Sequence, residues 1–449
     1  MKSIVSAVLW AFFIVKITAQ PATRTVTLGE SLDMALANSP QLKKAQLDRQ
    51  GFELRLREGR SAAYPQINAS FNYGYSPERP TQLLPGELFG QTEGTYIPAQ
   101  FGRPWQLAGV VTVEQRIYDE SLFRGIPAIN AGRSISDLLV ARTEEEVLFN
   151  TATVFYQTLQ MEQLVRAVNA NMEKLDALRR MAELQLANDY AIPTDVKRIR
   201  VARTNLETQR QNLLTGITAL HQTLKYLCGV PFEEPFDPVE EMENPAGDSL
   251  RWQSLTFEPE ATTDHQLIVN NLVLNRIQTR SLWAQGLPNL SAYATGLFQT
   301  WGDKANLFGT DGTWYGAVTF GLKVDVPIFD GFRRYRKVRL LKLEAQKLEE
   351  DRRQLDGAKM LEFRQAQEQL QNALRALQTQ TDNVALAREI TDKLLLQYRE
   401  GVVSLTDLLN AQTARSEAET NYWQQVFSYK LAVLKLLKAS GKLEALRKK

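Results

Sequence analysis

Apolar residues recur at strict seven-residue intervals through much of this chain, and that period sets what the chain can fold into. Val140, Val147, Val154, Met161, Val168, Leu175 and Ala182 form one series, and Ile199, Leu206, Leu213, Leu220 and Leu227 a second. Phe363, Leu370, Leu377 and Val384 form a third. It is shadowed by Ala366, Ala373, Ala387 and Leu394, with Gln380 as the exception. A period of seven, rather than 3.6 per turn, makes helices wind around neighbours with a left-handed supercoil. The spacing predicts helices over about 132–187, 194–228, 332–398 and 405–440. At ~1.5 Å per residue the first would run roughly 80 Å and the third roughly 100 Å. Helices of that length do not belong to an ordinary globular domain. Between the first two lies a break at Asn188-Asp189-Tyr190-Ala191-Ile192-Pro193, where Pro193 suits the first turn of a new helix and Gly229 its stop.

The second helical pair repeats the first. A shift of 212 residues lays Thr194-Asp195 on Thr406-Asp407, Ala202-Arg203 on Ala414-Arg415, Glu207-Thr208 on Glu419-Thr420 and Gly229 on Gly441, without a gap. Tyr64-Pro65-Gln66-Ile67 likewise echoes Leu287-Pro288-Asn289-Leu290. The chain therefore reads as an internal duplication. A first repeat covers 20–229, a connector 230–259, a second repeat 260–441 and a short tail 442–449. The Pro- and Glu-rich connector reads as irregular.

Strands lie between the helices, two in each repeat. Ile67, Ala69, Phe71, Tyr73 and Tyr75 alternate with Gln66, Asn68, Ser70, Asn72 and Gly74. Val111, Val113 and Ile117 alternate with Thr112, Glu114 and Arg116, and Val318, Phe320, Leu322, Val324 and Val326 with Thr319, Gly321, Lys323 and Asp325. Leu290, Ala292, Ala294 and Phe298 supply a fourth, weaker series. The expected strands are about 65–75, 107–118, 288–298 and 316–326, each long enough for a tilted membrane strand. One strand alone suits a soluble sandwich as well. Four strands cannot close a membrane barrel, and lipid tolerates no open edge, so copies of the chain would have to pair. Ser76 to Gln106 and Gln299 to Trp314, rich in glycine and aromatics, are the expected external loops.

Composition removes other classes. With 53 Lys+Arg against 51 Asp+Glu the net charge is +2, without the basic excess of a nucleic-acid binder. A mean hydropathy of −0.30 excludes a bundle of membrane helices. One Cys and two His leave no disulfide framework and little for a His/Cys metal centre, and no cofactor is implied. Residues 1–19 read as a secretory signal: Lys2, the apolar run Ile4 to Val15, and a cleavage point after Ala19. Cys228, beside Gly229 at a helix end, reads as a buried spacer, and His221 and His265 as packed or solvated side chains without a nucleophilic partner. Gly309-Thr310-Asp311-Gly312 lacks the flanking strand, helix and Lys of a phosphate loop, so an enzyme is not expected. Arg333-Arg334-Tyr335-Arg336-Lys337 reads as solvated helix surface.

Three motifs carry a family resemblance. They are Thr27-Leu28-Gly29-Glu30-Ser31-Leu32 leading to Asn38-Ser39-Pro40-Gln41-Leu42, the turn Val326-Pro327-Ile328-Phe329-Asp330-Gly331, and Tyr398-Arg399-Glu400-Gly401 through Ser404-Leu405-Thr406-Asp407-Leu408-Leu409. In this order, on a duplicated helix–strand–strand–helix plan, the chain resembles the TolC family of outer-membrane efflux proteins over nearly its whole length. The first-repeat turn, Ile117-Tyr118-Asp119-Glu120, departs from the pattern in lacking the Pro and Gly. The resemblance implies a mainly α protein with membrane β, whose homotrimer forms a twelve-stranded β-barrel continued by a long α-helical periplasmic barrel. It implies an outer-membrane exit duct of a tripartite efflux or secretion system, embedded in outer-membrane lipid. The duct would be coupled through a periplasmic adaptor to an inner-membrane transporter of RND or ABC type. A periplasmic adaptor or a secreted coiled-coil scaffold is the alternative, and drugs, metal cations and polypeptides all remain open as cargo.

The resemblance also implies a gate at the periplasmic helical tip. Tyr398 and Asp195 match residues that hydrogen-bond across the closed tip, Thr194 matches another member of that network, and Asp407 matches a lumen-facing carboxylate. Asn410 falls where the prototype has a second Asp, and Val403 where it has an Arg. Simple helix capping by Asp195 or Asp407, or by Thr194 or Thr406, is the competing reading of the acidic positions. Ile67, Phe71, Tyr73, Val111, Val113, Val318, Phe320, Leu322 and Val324 are the residues expected to face lipid.

Overall fold

A computed structural model describes residues 24–190, 192–240, 252, 254–308 and 313–447. The signal at 1–19, the Gly309–Gly312 run, connector residues 241–251 and 253, and the last two residues lie outside that description. In chain order the larger elements are β1 (Arg24–Val26), α1 (Leu28–Asn38), α2 (Pro40–Ser61) and β2 (Gln66–Tyr75). They continue with β3 (Thr81–Pro85), β4 (Tyr96–Gln100), β5 (Trp105–Tyr118), α3 (Glu120–Gly125), α4 (Pro127–Ala187) and α5 (Pro193–Cys228). The second half holds β6 (Phe236–Pro238), α6 (Thr263–Ala284), β7 (Asn289–Gly302), β8 (Trp314–Asp325), α7 (Arg333–Arg399) and α8 (Leu405–Ala439).

The chain divides into two compact units, and each draws on both repeats. One comprises the residues up to Ala45, Val140–His265 and Leu355 onward. The other comprises Gln46–Leu139 and Gln266–Gln354.

The first unit is helical, and the seven-residue series fill its core. Phe363, Leu370, Leu377 and Val384 are buried, as are Ala366 and Ala373. Leu148, Ala152, Phe155, Leu159, Phe427, Leu434 and Leu437 join Phe363, Ala366, Leu370 and Ala373 in one large cluster. On α5 only Val196, Ile199, Leu224 and Cys228 are buried, so Leu206, Leu213, Leu220 and Leu227 stay half-covered within one chain. The Thr27-Leu28-Gly29-Glu30 motif is a capping box. Glu30 N–H donates to the Thr27 hydroxyl at 3.3 Å, and Thr27 N–H to the Glu30 carboxylate at 2.9 Å. Gly229 and Gly441, which the duplication aligns, both end their helices with φ near +67° and +69°, the left-handed conformation glycine adopts freely.

The second unit holds an antiparallel four-stranded sheet of order β2-β5-β7-β8. Its central pair, β5 with β7, joins the two repeats. Strands extend past the expected limits. Trp105 and Gln106 pair with Gly302 and Trp301, and Thr300 with Trp314, so the ends of both expected loops belong to the ladder. A further hairpin, β3 with β4, occupies the first loop region. The register shifts between Arg116 and Tyr118, leaving Ile117 in a bulge and Tyr118 opposite Leu290. In the first-repeat turn that departs from the family pattern, the Asp119 carboxylate accepts from Ser121 N–H at 3.0 Å and Leu122 N–H at 3.3 Å to cap α3. Asp330 holds the second-repeat turn through Arg334 N–H at 3.1 Å. An aspartate thus organises both turns, with or without Pro and Gly.

Candidate functional site

Two places concentrate the residues singled out from sequence. In the helical unit these are the paired hairpin tips, α4–α5 and α7–α8. The duplication shapes both turns alike. Tyr190 N–H donates to Gln185 C=O at 2.8 Å and Val402 N–H to Gln397 C=O at 2.9 Å, at positions 212 residues apart. Gly401 takes the left-handed backbone there (φ 73°), and Asp189 takes it in the first tip (φ 61°); Asp is among the few non-glycine residues that tolerate it. Beneath the turns the two hairpins share one apolar plug of Leu175, Leu178, Ala182, Val196, Ile199, Tyr398, Leu405 and Leu408. Val403 packs against this plug.

Tyr398 is buried in the plug. Burial, with the Asp195 carboxylate nearby as a second cause, raises its phenol above the ordinary tyrosine range. Within the chain Tyr398 and Asp195 interact through space, without a mutual hydrogen bond. Thr194, Asp407 and Asn410 are exposed and Asp195 half-exposed. The capping reading needs correction. Asp195 is the third residue of α5, whose cap position is Ile192 and has no side-chain cap. The cap of α8 is Ser404: its hydroxyl accepts from Asp407 N–H at 3.2 Å and donates to the Asp407 carboxylate at 2.6 Å. Neither Thr194 nor Thr406 caps. Instead Thr406 accepts from the Arg198 guanidinium at 2.7 Å, a link between the two hairpins that spans 208 positions and that no local pattern reveals.

The hairpins are also laced by a repeated ion pair. Arg203 meets Asp176 at 2.9 Å in the first repeat and Arg415 meets Asp392 at 3.0 Å in the second. Between the first hairpin and α8 runs a polar groove of about 480 Å³. In it buried Asn171 donates to Ser416 Oγ at 2.9 Å and accepts from Gln412 at 3.1 Å. Cys228 is fully buried, its thiol pushed up to about 12 by desolvation, and it donates weakly to Ser31 C=O at 3.5 Å. His265 is buried against Asp356 at 2.7 Å, and His221 meets Glu162 at 3.0 Å.

In the sheet unit, the register sorts side chains into two faces. Ile67, Val113, Ala294 and Phe320 form one row, and Ala69, Val111, Gly296 and Val318 the next. Phe71, Tyr73, Leu322 and Val324 lie on that same face, so all nine residues expected to face lipid share it. The opposite face carries rows such as Asn68, Thr112, Thr295 and Thr319. On the apolar face Phe320 is 79% and Phe71 77% exposed. Aromatic rings gather at one end: Tyr73 and Tyr75 lie 5.4 and 4.4 Å from Trp105, and Trp301 lies 5.8 Å from Tyr315. Both edge strands, β2 and β8, have one free side within the chain. Among the described residues no helix is long and apolar enough to cross a membrane.

A sheet with one continuous apolar face, one polar face and an aromatic fringe is the pattern of strands that meet lipid on one side and water on the other. Residues 275–442 match the model of the outer membrane efflux protein family. The outer membrane protein TolC of Escherichia coli K12 is 21% identical over 421 residues, covering 91% of this chain and 81% of its own length. Among solved structures, CusC superposes with a TM-score of 0.73 at 15% identity, over 92% of this chain and 91% of its own. VceC of Vibrio cholerae does so with a TM-score of 0.72 at 14% identity, over 92% and 96%.

Proposed function

We propose that three copies close their sheets into one twelve-stranded barrel, forming the outer-membrane exit duct of a tripartite efflux or secretion system. The observation that carries this is the four-stranded sheet with an exposed apolar face and two free edges. Such a sheet is stable in lipid only when β8 of one copy pairs with β2 of the next until the ring closes. The apolar face then meets lipid and the polar face lines the lumen. The helices of the repeats 20–229 and 260–441 continue the duct in the periplasm, with 230–259 as the equatorial connector. The hairpin tips, with Tyr398, Asp195 and Thr194 inside the closure and Asp407 and Asn410 facing the passage, form its gate. Conduction is passive, and a periplasmic adaptor joins the tips to an inner-membrane transporter of RND or ABC type.

The test is a pair of arginine substitutions on adjacent residues. Phe320→Arg places a charge against lipid, at a cost of about 2–4 kcal/mol per copy near the midplane; Thr319→Arg places it in the lumen. Outer-membrane fractions run unheated and heated on a gel should show the trimer kept in Thr319→Arg and depleted in Phe320→Arg. Equal behaviour of the two, or a soluble wild-type product, would overturn the reading.

A further inference from the structure

We propose a Zn²⁺ site formed by Glu162 of α4, His221 of α5 and Asp237 of β6. The three side chains each offer one ligand atom, and these atoms lie within 4.8 Å of one another. Composition pointed away from a metal centre because the chain has so few histidines. The fold nevertheless brings one of the two against a pair of carboxylates contributed by separate elements. Glu162 and His221 face each other across the first helical pair. Asp237 is turned towards them by the pleat of β6, whose neighbours Phe236 and Pro238 are buried on its other side.

The geometry suits a small divalent ion. Zn–N and Zn–O bonds of about 2.0–2.2 Å put tetrahedral ligands roughly 3.4 Å apart. His221 Nε2 and Glu162 Oε1 already stand at 3.0 Å. Asp237 lies within 4.8 Å of both and has to close by at most about 1.4 Å to join them, and among the described residues no hydrogen bond or ion pair holds its carboxylate elsewhere. A nearby cation, Arg166, sits 3.7 Å from the other Glu162 oxygen and is largely exposed, free to move outward. The half-buried setting leaves one side open for a water as fourth ligand. One imidazole with two carboxylates selects zinc and its neighbours over magnesium or calcium, which prefer all-oxygen cages. A bound ion would tie the start of the connector to both helices of the first pair.

The full-length protein, purified in detergent and stripped with a chelator, is titrated with Zn²⁺ against a chromophoric competitor. The expected result is one Zn²⁺ per chain, unaffected by excess Mg²⁺. His221→Ala and Asp237→Asn should each weaken it by about tenfold or more, and His265→Ala should leave it unchanged. Cobalt(II) in place of zinc should give intense visible bands in the wild type that His221→Ala loses. Gel mobility of the unheated trimer confirms that each variant is folded. No saturable binding in the folded wild type, wild-type affinity in the two site variants, or loss in His265→Ala instead would overturn the assignment.

Discussion

Tyr398 separates two ways of holding the proposed gate shut. If packing dominates, the ring matters and the hydroxyl does not, because the phenol sits in the shared plug of both hairpins and makes no hydrogen bond to Asp195 within the chain. Emptying a buried aromatic site costs about 3–5 kcal/mol. If even half of that falls on the closed state alone, the closed-to-open ratio drops by about tenfold or more, since 1.4 kcal/mol is tenfold. Tyr398→Phe keeps the ring and removes a net hydrogen bond worth at most about 1 kcal/mol, so its shift stays within about fivefold. Single-channel recordings in planar bilayers should therefore show a large rise in conductance or open time for Tyr398→Ala and a trace close to wild type for Tyr398→Phe. A Phe variant that opens as far as the Ala variant would refute packing and place the closure in a hydrogen bond made between copies. The pH dependence has a definite sign. Because the folded phenol is raised above its unfolded value near 10, it stays neutral up to that pH, and its contribution to stability is lost only as pH rises beyond it.

Two further outcomes can be measured on the same material. Asp407 is exposed beneath the turn and, in a trimer, makes a ring of three carboxylates; Asp407→Asn should lower cation preference in a salt gradient and relieve block by divalent ions, and unchanged selectivity would mean that it faces away from the passage. Cys228, buried and with its thiol at about 12, should resist thiol reagents in the native protein at neutral pH and react fully after denaturation, as read by intact mass; ready native labelling would contradict its packing against α1.

How far this structure was legible in advance follows from the range of each signal. Seven-residue spacing and two-residue alternation are local, so the coiled helices and the faces of β2 and β8 could be read from side-chain type alone. The edges of elements could not. Trp105 and Thr300 look like loop residues and become strand because their partners, Gly302 and Trp314, arrive from elsewhere in the chain. The shared turn at Asp189 and Gly401 was hidden by the change of residue, though the same shift of 212 residues connects them. Capping by the aspartates, the competing reading that their spacing suits, is not what forms: Ser404 three residues earlier caps α8, and the first tip has no side-chain cap. Contacts such as Arg198 with Thr406, or His221 with Glu162 and Asp237, depend on tertiary folding and leave no trace in sequence spacing.

The central pairing of β5 with β7 bears on how such a chain must be made. Each repeat contributes one strand to that pair, so within a single polypeptide the two halves already perform the edge-to-edge joining that, in the proposed barrel, separate copies complete at β2 and β8. Until it meets its fellows, the newly exported chain carries two rows of unsatisfied amides and an uncovered greasy face, the features that seed misassembly. The lone protomer is thus a hazardous transit species, and its safe lifetime, more than its final stability, should limit how much of it a cell can produce.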